Sequence, residues 1–244
     1  MGRTLAVSDL HGNYELWEQV KAMLAPDDVL YVLGDCADRG KYGMEIILEV
    51  LADKRCIYIK GNHEDLFVRA VLHGDRMLHD YNGGKPTYKA WKYKYDHNMQ
   101  IIHTLQNLPD EKVYINKRGQ RVVMTHAGYT PHLCDFVWSE DKIWDRHHFN
   151  NMWDVDFIDT IMVHGHTPIP IIENYLWDAP RESEVVPGVF WYCKDDKGVC
   201  HKVDIDCGAA FTGHTTVLDL DTWEEHKFFA KETVYKTGDN QLVP

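Results

Sequence analysis

The chain has 244 residues, 44% of them hydrophobic, so it can bury a substantial core, which argues against a mainly disordered protein. Its 38 acidic residues outnumber its 26 basic residues, which gives a formal net charge of −12. This charge excludes nucleic-acid binding through bulk electrostatics, because phosphate backbones require clustered lysine and arginine. The 15 histidines are not counted in that charge. Since histidine ligates metals and moves protons, their positions are the first feature to trace.

The first sixty residues alternate between short apolar runs and segments with helical periodicity. The apolar runs at 5–7, 29–33 and 57–59 predict buried strands. Between them, the spacing of apolar residues predicts helices at 14–24, with Asn13 as the N-cap, and at 44–51. Strands and helices that alternate at this spacing pair in parallel, so the first half predicts an α/β fold.

The second half of the chain is richer in strands. Helical patterns at 64–78 and 88–106 are separated by a Gly-Gly-Lys-Pro break. Strands are then predicted at 112–115, 121–125, 160–163, 202–206 and 215–221, with a hairpin turn at 116–119. We find no linker and no repeat, so the sequence predicts a single domain over residues 1–244. The segment 173–200 is predicted to be a surface excursion.

The sequence lacks the long apolar runs that mark membrane proteins and exported proteins. No apolar run approaches the roughly 18 residues of a membrane helix, and the first apolar run is too short for a signal peptide. The six cysteines form no C-x-x-C pair. We therefore expect a cytoplasmic protein with reduced thiols and no membrane partner. For Cys36 and Cys207, an oxidation-sensitive thiol and a buried inert thiol remain equal alternatives.

Five predicted strands end directly before short blocks rich in Asp, His, Asn and Gly. The blocks are Asp9-Leu-His11-Gly12, Gly34-Asp35-Cys-Ala-Asp38-Arg39-Gly40, Gly61-Asn62-His63-Glu64, Thr125-His126-Ala-Gly128 and His164-Gly165-His166-Thr167. An open α/β sheet places its ligand site beyond the carboxyl ends of its strands. Each block alone has an ordinary interpretation as a turn or a helix cap, but their joint occurrence is improbable by chance. Together they supply two Asp, one Asn and three His, which suit manganese, iron or zinc better than calcium.

These blocks resemble those of the calcineurin-like metallophosphoesterases, and within that superfamily the phosphoprotein phosphatase type found in bacteria and phages. The Asp-Arg-Gly block at 38–40 and the Gly-Asn-His-Glu block at 61–64 are the most specific. The resemblance extends from residue 9 to about residue 218 and includes Ile-Trp-Asp-Arg at 143–146. It implies an α/β fold, namely a β-sandwich flanked by helices in α-β-β-α layers. Lys41 departs from the family pattern, in which a proline is usual.

The resemblance also implies a dinuclear metal site. A first divalent ion would be held by Asp9, His11 and Asp35, and Asp35 would bridge to a second ion. The second ion would be completed by Asn62, His126 and His166. Manganese is the favoured metal, with iron and zinc as alternatives.

Catalytic and substrate-binding roles follow from the same resemblance. His63 would act as the general acid that protonates the leaving group, and Asp38 would orient it. Arg39 would bind the phosphoryl oxygens, since a guanidinium matches their geometry. Arg146 is a second candidate for that contact, with an ordinary surface arginine as its alternative. The two ions would activate a hydroxide that attacks phosphorus.

The predicted function is a metal-dependent phosphomonoesterase, namely a serine/threonine protein phosphatase, with dual specificity left open. Its partners would be a phosphorylated protein or a small phosphoester, and the oligomeric state is not predicted. The alternative is a hydrolase of dinucleoside polyphosphates, such as diadenosine tetraphosphate, or of other nucleotides. Those enzymes usually carry Ala-Arg-Gly where this chain has Asp38-Arg39-Gly40, which favours the phosphatase. A catalytically dead binding scaffold is a third possibility, and the intact set of candidate ligands opposes it.

The stretch from Tyr88 to Tyr95 alternates lysines with aromatic residues. Such alternation is typical of single-stranded nucleic-acid binding. At helical spacing, an amphipathic helix with snorkelling lysines is the simpler interpretation, and we prefer it.

Overall fold

The computed structural model describes residues 2–129, 140–150, 160–175, 191–194 and 198–234. Two five-stranded mixed sheets form its centre. The first sheet contains β1 (Thr4–Val7), β2 (Val29–Val32), β3 (Cys56–Tyr58), β9 (His214–Asp219) and β10 (Glu225–Phe229), in the spatial order β10-β9-β1-β2-β3. The second contains β4 (Glu111–Ile115), β5 (Arg121–Thr125), β6 (Thr160–His164), β7 (Trp191–Lys194) and β8 (Cys200–Asp204), in the order β4-β5-β6-β8-β7.

Helices flank these sheets. They are α1 (Tyr14–Met23), α2 (Gly43–Ala52), α3 (Asn62–Leu72), α4 (Arg76–Tyr81), α5 (Lys85–Tyr93), α6 (Met99–Gln106), α7 (Asp141–Trp144) and α8 (Ala209–Thr212). Short 3₁₀ helices cover His147–Asn150 and Ile169–Tyr175. Within the described ranges, none of these helices has the length and apolar character needed to span a membrane.

Parallel pairing sets the direction of the strands that carry the polar blocks. Strands β1, β2 and β3 pair in parallel, with Ala6 opposite Tyr31 and Tyr31 opposite Ile57. Strands β5, β6 and β8 pair in parallel in the second sheet. Within each sheet the carboxyl ends of these strands therefore lie at the same edge, as the sequence predicts.

Two apolar cores hold the layers together. One lies between the sheets and includes Ala6 and Leu33 from the first sheet region and Val122, Met124 and Val163 from the second. The other lies between the first sheet and the helices, and its buried residues include Leu16, Trp17, Ile46, Ile47 and Phe67. The sheet-and-helix layers confirm the predicted fold class.

The local sequence explains where α1 begins and which side it buries. The Asn13 side chain accepts a hydrogen bond from the backbone N–H of Leu16 at 3.3 Å, which caps the helix. Leu16, Trp17 and Val20 are buried at helical spacing. The capping residue fixes the start of α1, and the apolar stripe fixes the side of α1 that packs on the sheet. Together they position the loop between β1 and α1, and this loop carries His11.

Several predicted elements differ from the structure. The helical patterns at 64–78 and 88–106 each correspond to two helices, because the chain turns between them through residues with positive φ: Gly74 in the first case and Asp96 and His97 in the second. The strand predicted at 202–206 ends at Asp204 instead. Most of the segment 173–200, which the sequence predicts as a surface excursion, lies outside the described residues, and strand β7 is part of what is described there. The sequence pattern does not predict edge strand β10, which is only half buried.

Candidate metal centre

The loops that follow β1, β2, β5 and β6 meet at one place. The backbone N–H of His11 donates to the carbonyl oxygen of Asp35 at 2.9 Å, and that of Gly165 donates to the carbonyl oxygen of His126 at 2.7 Å. Across the sheets, Nδ1 of His126 lies 2.6 Å from the carbonyl oxygen of Leu33. Blocks far apart in the sequence are therefore tied into one site by their backbones.

A first group of potential metal ligands consists of His11, Asp35 and His63, whose ligand atoms lie within 4.8 Å of one another. Nε2 of His11 lies 3.6 Å from Oδ2 of Asp35 and 3.8 Å from Oδ1 of Asp9. Nδ1 of His11 is 3.0 Å from the carbonyl oxygen of Ala37, which fixes the ring and leaves Nε2 facing the carboxylates.

A second group consists of Asp35, His126 and His166. Nε2 of His126 lies 3.4 Å from Oδ1 of Asp35. Oδ1 of Asn62 is 2.8 Å from Nε2 of His126 and 3.0 Å from Nδ1 of His166. The structure thus brings together all six residues that the sequence nominates as ligands. Asp35 belongs to both groups and turns one carboxylate oxygen toward each.

The chemistry of these residues fits a bound cation. All six candidate ligands are buried. Oδ1 of Asp9 and Nε2 of His166 are buried without a hydrogen-bond partner among the described residues. A buried polar atom without a partner is costly unless something else satisfies it. The mixture of carboxylate, amide and imidazole donors suits borderline-hard divalent metals.

Burial shifts the protonation of several site residues. It raises the pKa of Asp9 to about 6. Burial, helped by Arg39 for His11 and by Arg146 for His166, holds the pKa of both histidines well below the usual value. These two imidazoles are therefore neutral near pH 7, which is the form that binds metals.

Asp35 and His126 form an ion pair at the centre of the site. Burial favours a neutral Asp35, but His126 and His63 outweigh it and keep the pKa of Asp35 well below its usual value. Burial also opposes a charged His126, yet Asp35 outweighs that effect and raises the pKa of His126 to about 10. The Asp35 carboxylate is therefore ionised, as a metal ligand must be, and a bound cation would take the place of the proton on Nε2 of His126.

Backbone strain is concentrated at this site. Among the described residues, nine that are not glycine have positive φ. Six of the nine are Asp9, His11, Asp35, Asp38, Arg39 and His166. Such conformations cost about 1–3 kcal/mol each and persist only where the surroundings enforce them. The fold therefore holds these six residues in backbone conformations that lower its stability, and they cluster at the candidate site.

Two glycines allow the carboxylates to approach the backbone. A Cβ atom on Gly61 would lie 2.2 Å from Oδ1 of Asp35, and one on Gly165 would lie 2.2 Å from Oδ2 of Asp9. Any side chain at either position would displace a candidate ligand. The requirement for glycine here is steric, since neither residue has positive φ.

His63 lies at the edge of the first group and is held by Asp38. Nδ1 of His63 is 2.9 Å from Oδ2 of Asp38, while its Nε2 is 3.8 Å from Oδ2 of Asp35 and 3.3 Å from Nη2 of Arg39. Nε2 therefore faces the site. The 3.8 Å separation from Asp35 also places His63 among the potential metal ligands. The position of His63 is therefore compatible with two roles, general acid and metal ligand.

The other oxygen of Asp38 contacts His79, a residue outside all of the motif blocks. Nε2 of His79 lies 2.9 Å from Oδ1 of Asp38. His79 is fully buried in α4 and stacks on Phe67, with ring centroids 5.5 Å apart. Burial opposes the charge on Asp38, but His79 and His63 outweigh it and hold the pKa of Asp38 below its usual value. No motif marks His79, because it reaches the site only through the packing of α4 on α3.

Glu64 is a second residue whose part was not predicted. Its carboxylate accepts hydrogen bonds from the backbone N–H groups of Asp35 at 2.7 Å, Ala37 at 3.0 Å and Gly61 at 3.1 Å. The Tyr58 hydroxyl donates to it at 2.8 Å. Glu64 thereby ties the loop after β2 to the start of α3. The capping-box spacing from Gly61 to Glu64 is a sequence signal for the hydrogen bond from Gly61, but not for those from Asp35 and Ala37.

The two candidate substrate arginines lie beside different ligand groups. Arg39 contacts His63, as described above. Nε of Arg146 donates to Oγ1 of Thr167 at 3.2 Å, directly after His166 in the chain. Both guanidinium groups are therefore close to the candidate metal ligands.

The two cysteines in the motif blocks are buried. Burial raises the pKa of Cys36 well above its usual value and that of Cys207 to about 12. A thiol with a raised pKa has little reactive thiolate at neutral pH. Of the two alternatives for these cysteines, the structure favours inert thiols.

The family model described as calcineurin-like phosphoesterase matches residues 2–217. The chain belongs to this family. The match confirms the resemblance inferred from the sequence and makes the protein a metallophosphoesterase-superfamily hydrolase acting on phosphoesters. The candidate ligand groups fit the divalent metals expected for such a hydrolase.

Two curated relatives of the chain differ in the substrate class that their names state. The chain is 22% identical to a bis(5'-nucleosyl)-tetraphosphatase (asymmetrical), PrpE, of Anoxybacillus flavithermus, over 87% of this chain and 88% of the relative. It is 25% identical to a serine/threonine-protein phosphatase of Caenorhabditis elegans, over 91% of this chain but 44% of that relative. The present chain therefore spans less than half of the length of the nematode protein.

A solved structure shows the same fold. It is a protein serine/threonine phosphatase from Saccharomyces cerevisiae, with a TM-score of 0.59 at 12% identity, covering 95% of this chain and 81% of that one. At this identity the similarity establishes the architecture alone.

Proposed function

We propose that residues 1–244 form a single domain that hydrolyses phosphomonoesters, with phosphoserine and phosphothreonine in proteins as substrates. The observation that carries the proposal is the position of Asp35, which faces one ligand group with each carboxylate oxygen. A carboxylate shared in this way suits two adjacent divalent ions. The preference for protein substrates is supported by Asp38, which pairs with His63 at 2.9 Å.

The residues that would hold the metals follow from the two groups. Asp9, His11 and Asp35 would hold one ion, and Asp35, Asn62, His126 and His166 the other, with manganese as the proposed metal. When bound, two divalent ions supply a lowered pKa for the attacking water and positive charge for the phosphoryl oxygens.

Three side chains of this protein would act on the substrate directly. Arg39 and Arg146 would donate hydrogen bonds to the phosphoryl oxygens and orient the ester for attack. Nε2 of His63 would donate a proton to the oxygen of the leaving alcohol. Asp38 holds Nδ1 of His63, so Nε2 is kept facing that oxygen.

His79 would act as a positioning residue through Asp38. We expect His79→Leu to lower kcat roughly tenfold with little change in KM, because Asp38 loses one of its two imidazole partners. His79→Gln, whose amide can donate to the same carboxylate oxygen, should retain more of the rate and a pH profile closer to wild type. Steady-state kinetics across pH check this. Equal losses in both variants, or losses explained by a lower fraction of folded protein, would show that His79 only fills space.

A second candidate function is hydrolysis of dinucleoside polyphosphates. The relative from Anoxybacillus favours it, because the alignment covers nearly the full length of both chains. The Asp38–His63 pair is the feature that argues for the phosphatase instead.

One assay separates the two. With added manganese, hydrolysis of a phosphoserine peptide, a phosphotyrosine peptide, diadenosine tetraphosphate and a phosphodiester is compared under identical conditions. We expect the phosphoserine peptide to give the highest kcat/KM. Exclusive turnover of the dinucleotide would overturn the proposed protein substrate while leaving the phosphoesterase chemistry intact.

A further inference from the structure

A groove of about 1050 Å³ opens beside the candidate metal centre. Its walls are the start of α1, the loop from Arg39 to Tyr42, one face of α5, and residues 232–234. Arg39 belongs both to this groove and to the metal centre, where it contacts His63. A substrate whose phosphoryl group lies at Arg39 can therefore extend directly into the groove.

The groove is positively charged in an acidic protein. Its lining includes five basic side chains, Arg39, Lys41, Lys85, Lys89 and Lys94, and three acidic ones, Glu15, Glu45 and Glu232. Two of the acidic side chains are engaged, since Glu45 pairs with Lys94 and Glu15 accepts the backbone N–H of Lys231 at 3.0 Å. Across the described part of the chain, Lys41, Lys85 and Lys89 form no ion pair. These three lysines are available to an anionic ligand.

The lysines of α5 are spaced along a line rather than gathered around one point. Lys85, Lys89 and Tyr93 follow each other at four-residue intervals, so they share one face of the helix, and all three are exposed. Four residues of helix rise about 6 Å. Alternate side chains of an extended peptide are about 6.7 Å apart on the same side. An extended peptide with acidic residues at alternate positions thus matches the two lysines. A compact polyphosphate would favour converging donors.

We propose that this groove binds an acidic peptide segment flanking the phosphorylated residue of a protein substrate. The inference rests on the proposed function and specifies its substrate class: phosphoproteins with aspartate or glutamate beside the phosphorylation site. Lys85 and Lys89 supply the charge, and the exposed ring of Tyr93 supplies apolar surface at the far end of the same face.

The test compares two phosphoserine peptides that differ only in their flanks, one with Asp and Glu and one with Asn and Gln. For the wild-type enzyme we expect kcat/KM to be about three- to tenfold higher for the acidic peptide, mainly through KM, and the ratio to fall with added salt. In the double variant Lys85→Gln/Lys89→Gln the ratio should fall toward one. The control Lys54→Gln/Lys112→Gln removes two exposed lysines that do not line the groove, and it should keep the wild-type ratio.

Three outcomes would overturn the groove proposal. The first is that the wild-type enzyme hydrolyses both peptides at equal rates, and the second is that the control variant loses the preference for the acidic peptide as fully as the Lys85→Gln/Lys89→Gln variant does. The third is that the Lys85→Gln/Lys89→Gln variant loses more kcat/KM for diadenosine tetraphosphate than for the acidic peptide. The last would make a nucleoside polyphosphate the occupant. Turnover of p-nitrophenyl phosphate by the wild-type enzyme is measured in parallel. Its absence would refute the proposed function itself, whereas its presence with equal peptide rates would refute only the groove.

Discussion

Asp35→Asn is expected to remove both metal ions together and to lower kcat/KM by about 10³-fold or more. Oδ2 of Asp35 lies 3.6 Å from Nε2 of His11, and Oδ1 lies 3.4 Å from Nε2 of His126. An amide in this place carries no charge and offers only one ligand oxygen, so neither group keeps its shared anionic ligand. Two divalent ions contribute several kcal/mol to such reactions, and each 1.36 kcal/mol is tenfold in rate. The measurements are metal content by mass spectrometry and hydrolysis of p-nitrophenyl phosphate.

A matched control for this variant is Asp27→Asn, which makes the same substitution at an exposed site outside both groups. It should keep the metal content and the rate of the wild-type enzyme. If Asp35→Asn retains one fully occupied metal site, Asp35 is not a shared ligand and the assignment of the two groups is wrong.

His63→Asn is expected to lower turnover of a phosphoserine peptide by roughly 10²–10⁴-fold while the metal content stays near normal. The imidazole is held at Nδ1 by Asp38 and presents Nε2 to the site, whereas asparagine cannot donate an acidic proton there. The loss should be much smaller for p-nitrophenyl phosphate, because p-nitrophenolate leaves readily without protonation. The ratio of the two losses therefore reports general-acid catalysis.

Metal analysis of the same variant decides between the two roles that the position of His63 permits. His63 belongs to the first group of potential ligands, with Nε2 3.8 Å from Oδ2 of Asp35. Loss of metal, or equal losses for both substrates, would make His63 a ligand and not the acid. His103→Asn, at an exposed position in α6, is the control and should behave like the wild-type protein.

The residues predicted as ligands lie together in the structure because they follow the ends of strands. Asp9 and Asp35 follow two strands that pair in parallel, and parallel pairing alone brings their loops to one edge. His126 and His166 follow strands of the second sheet by the same logic. Local pattern and this topological rule place the polar blocks at one edge, whereas the choice of the individual ligands within the blocks, such as His166 rather than His164, comes from the family resemblance.

Residues that act through tertiary contacts could not be predicted in this way. His79 reaches Asp38 from a different helix, and its spacing from His63 carries no periodic or motif signal. The carboxylate of Glu64 satisfies backbone groups of two loops, which becomes visible only when β2 and α3 are adjacent. Hydrogen bonds between distant elements are consequences of packing, and apolar periodicity does not encode them.

Breaks and edges explain the errors in the predicted elements. The helical pattern continues through Gly74, although the chain turns there with φ of 75°. Strand β10 alternates between half-buried and exposed residues at the edge of its sheet, so its hydrophobic signal is weak. The interpretation of the Tyr88–Tyr95 stretch as an amphipathic helix is confirmed for the part within α5, where Trp91 is buried and Lys89 is exposed.

The measurement that tests the central claim most directly is anomalous X-ray diffraction from crystals of the protein grown with manganese. We predict two anomalous peaks per chain that share Asp35, one beside Oδ2 of Asp35 and His11 and the other beside Oδ1 of Asp35 and His126. A chain with no peak at these residues, or with a single peak that does not touch Asp35, would contradict the dinuclear site.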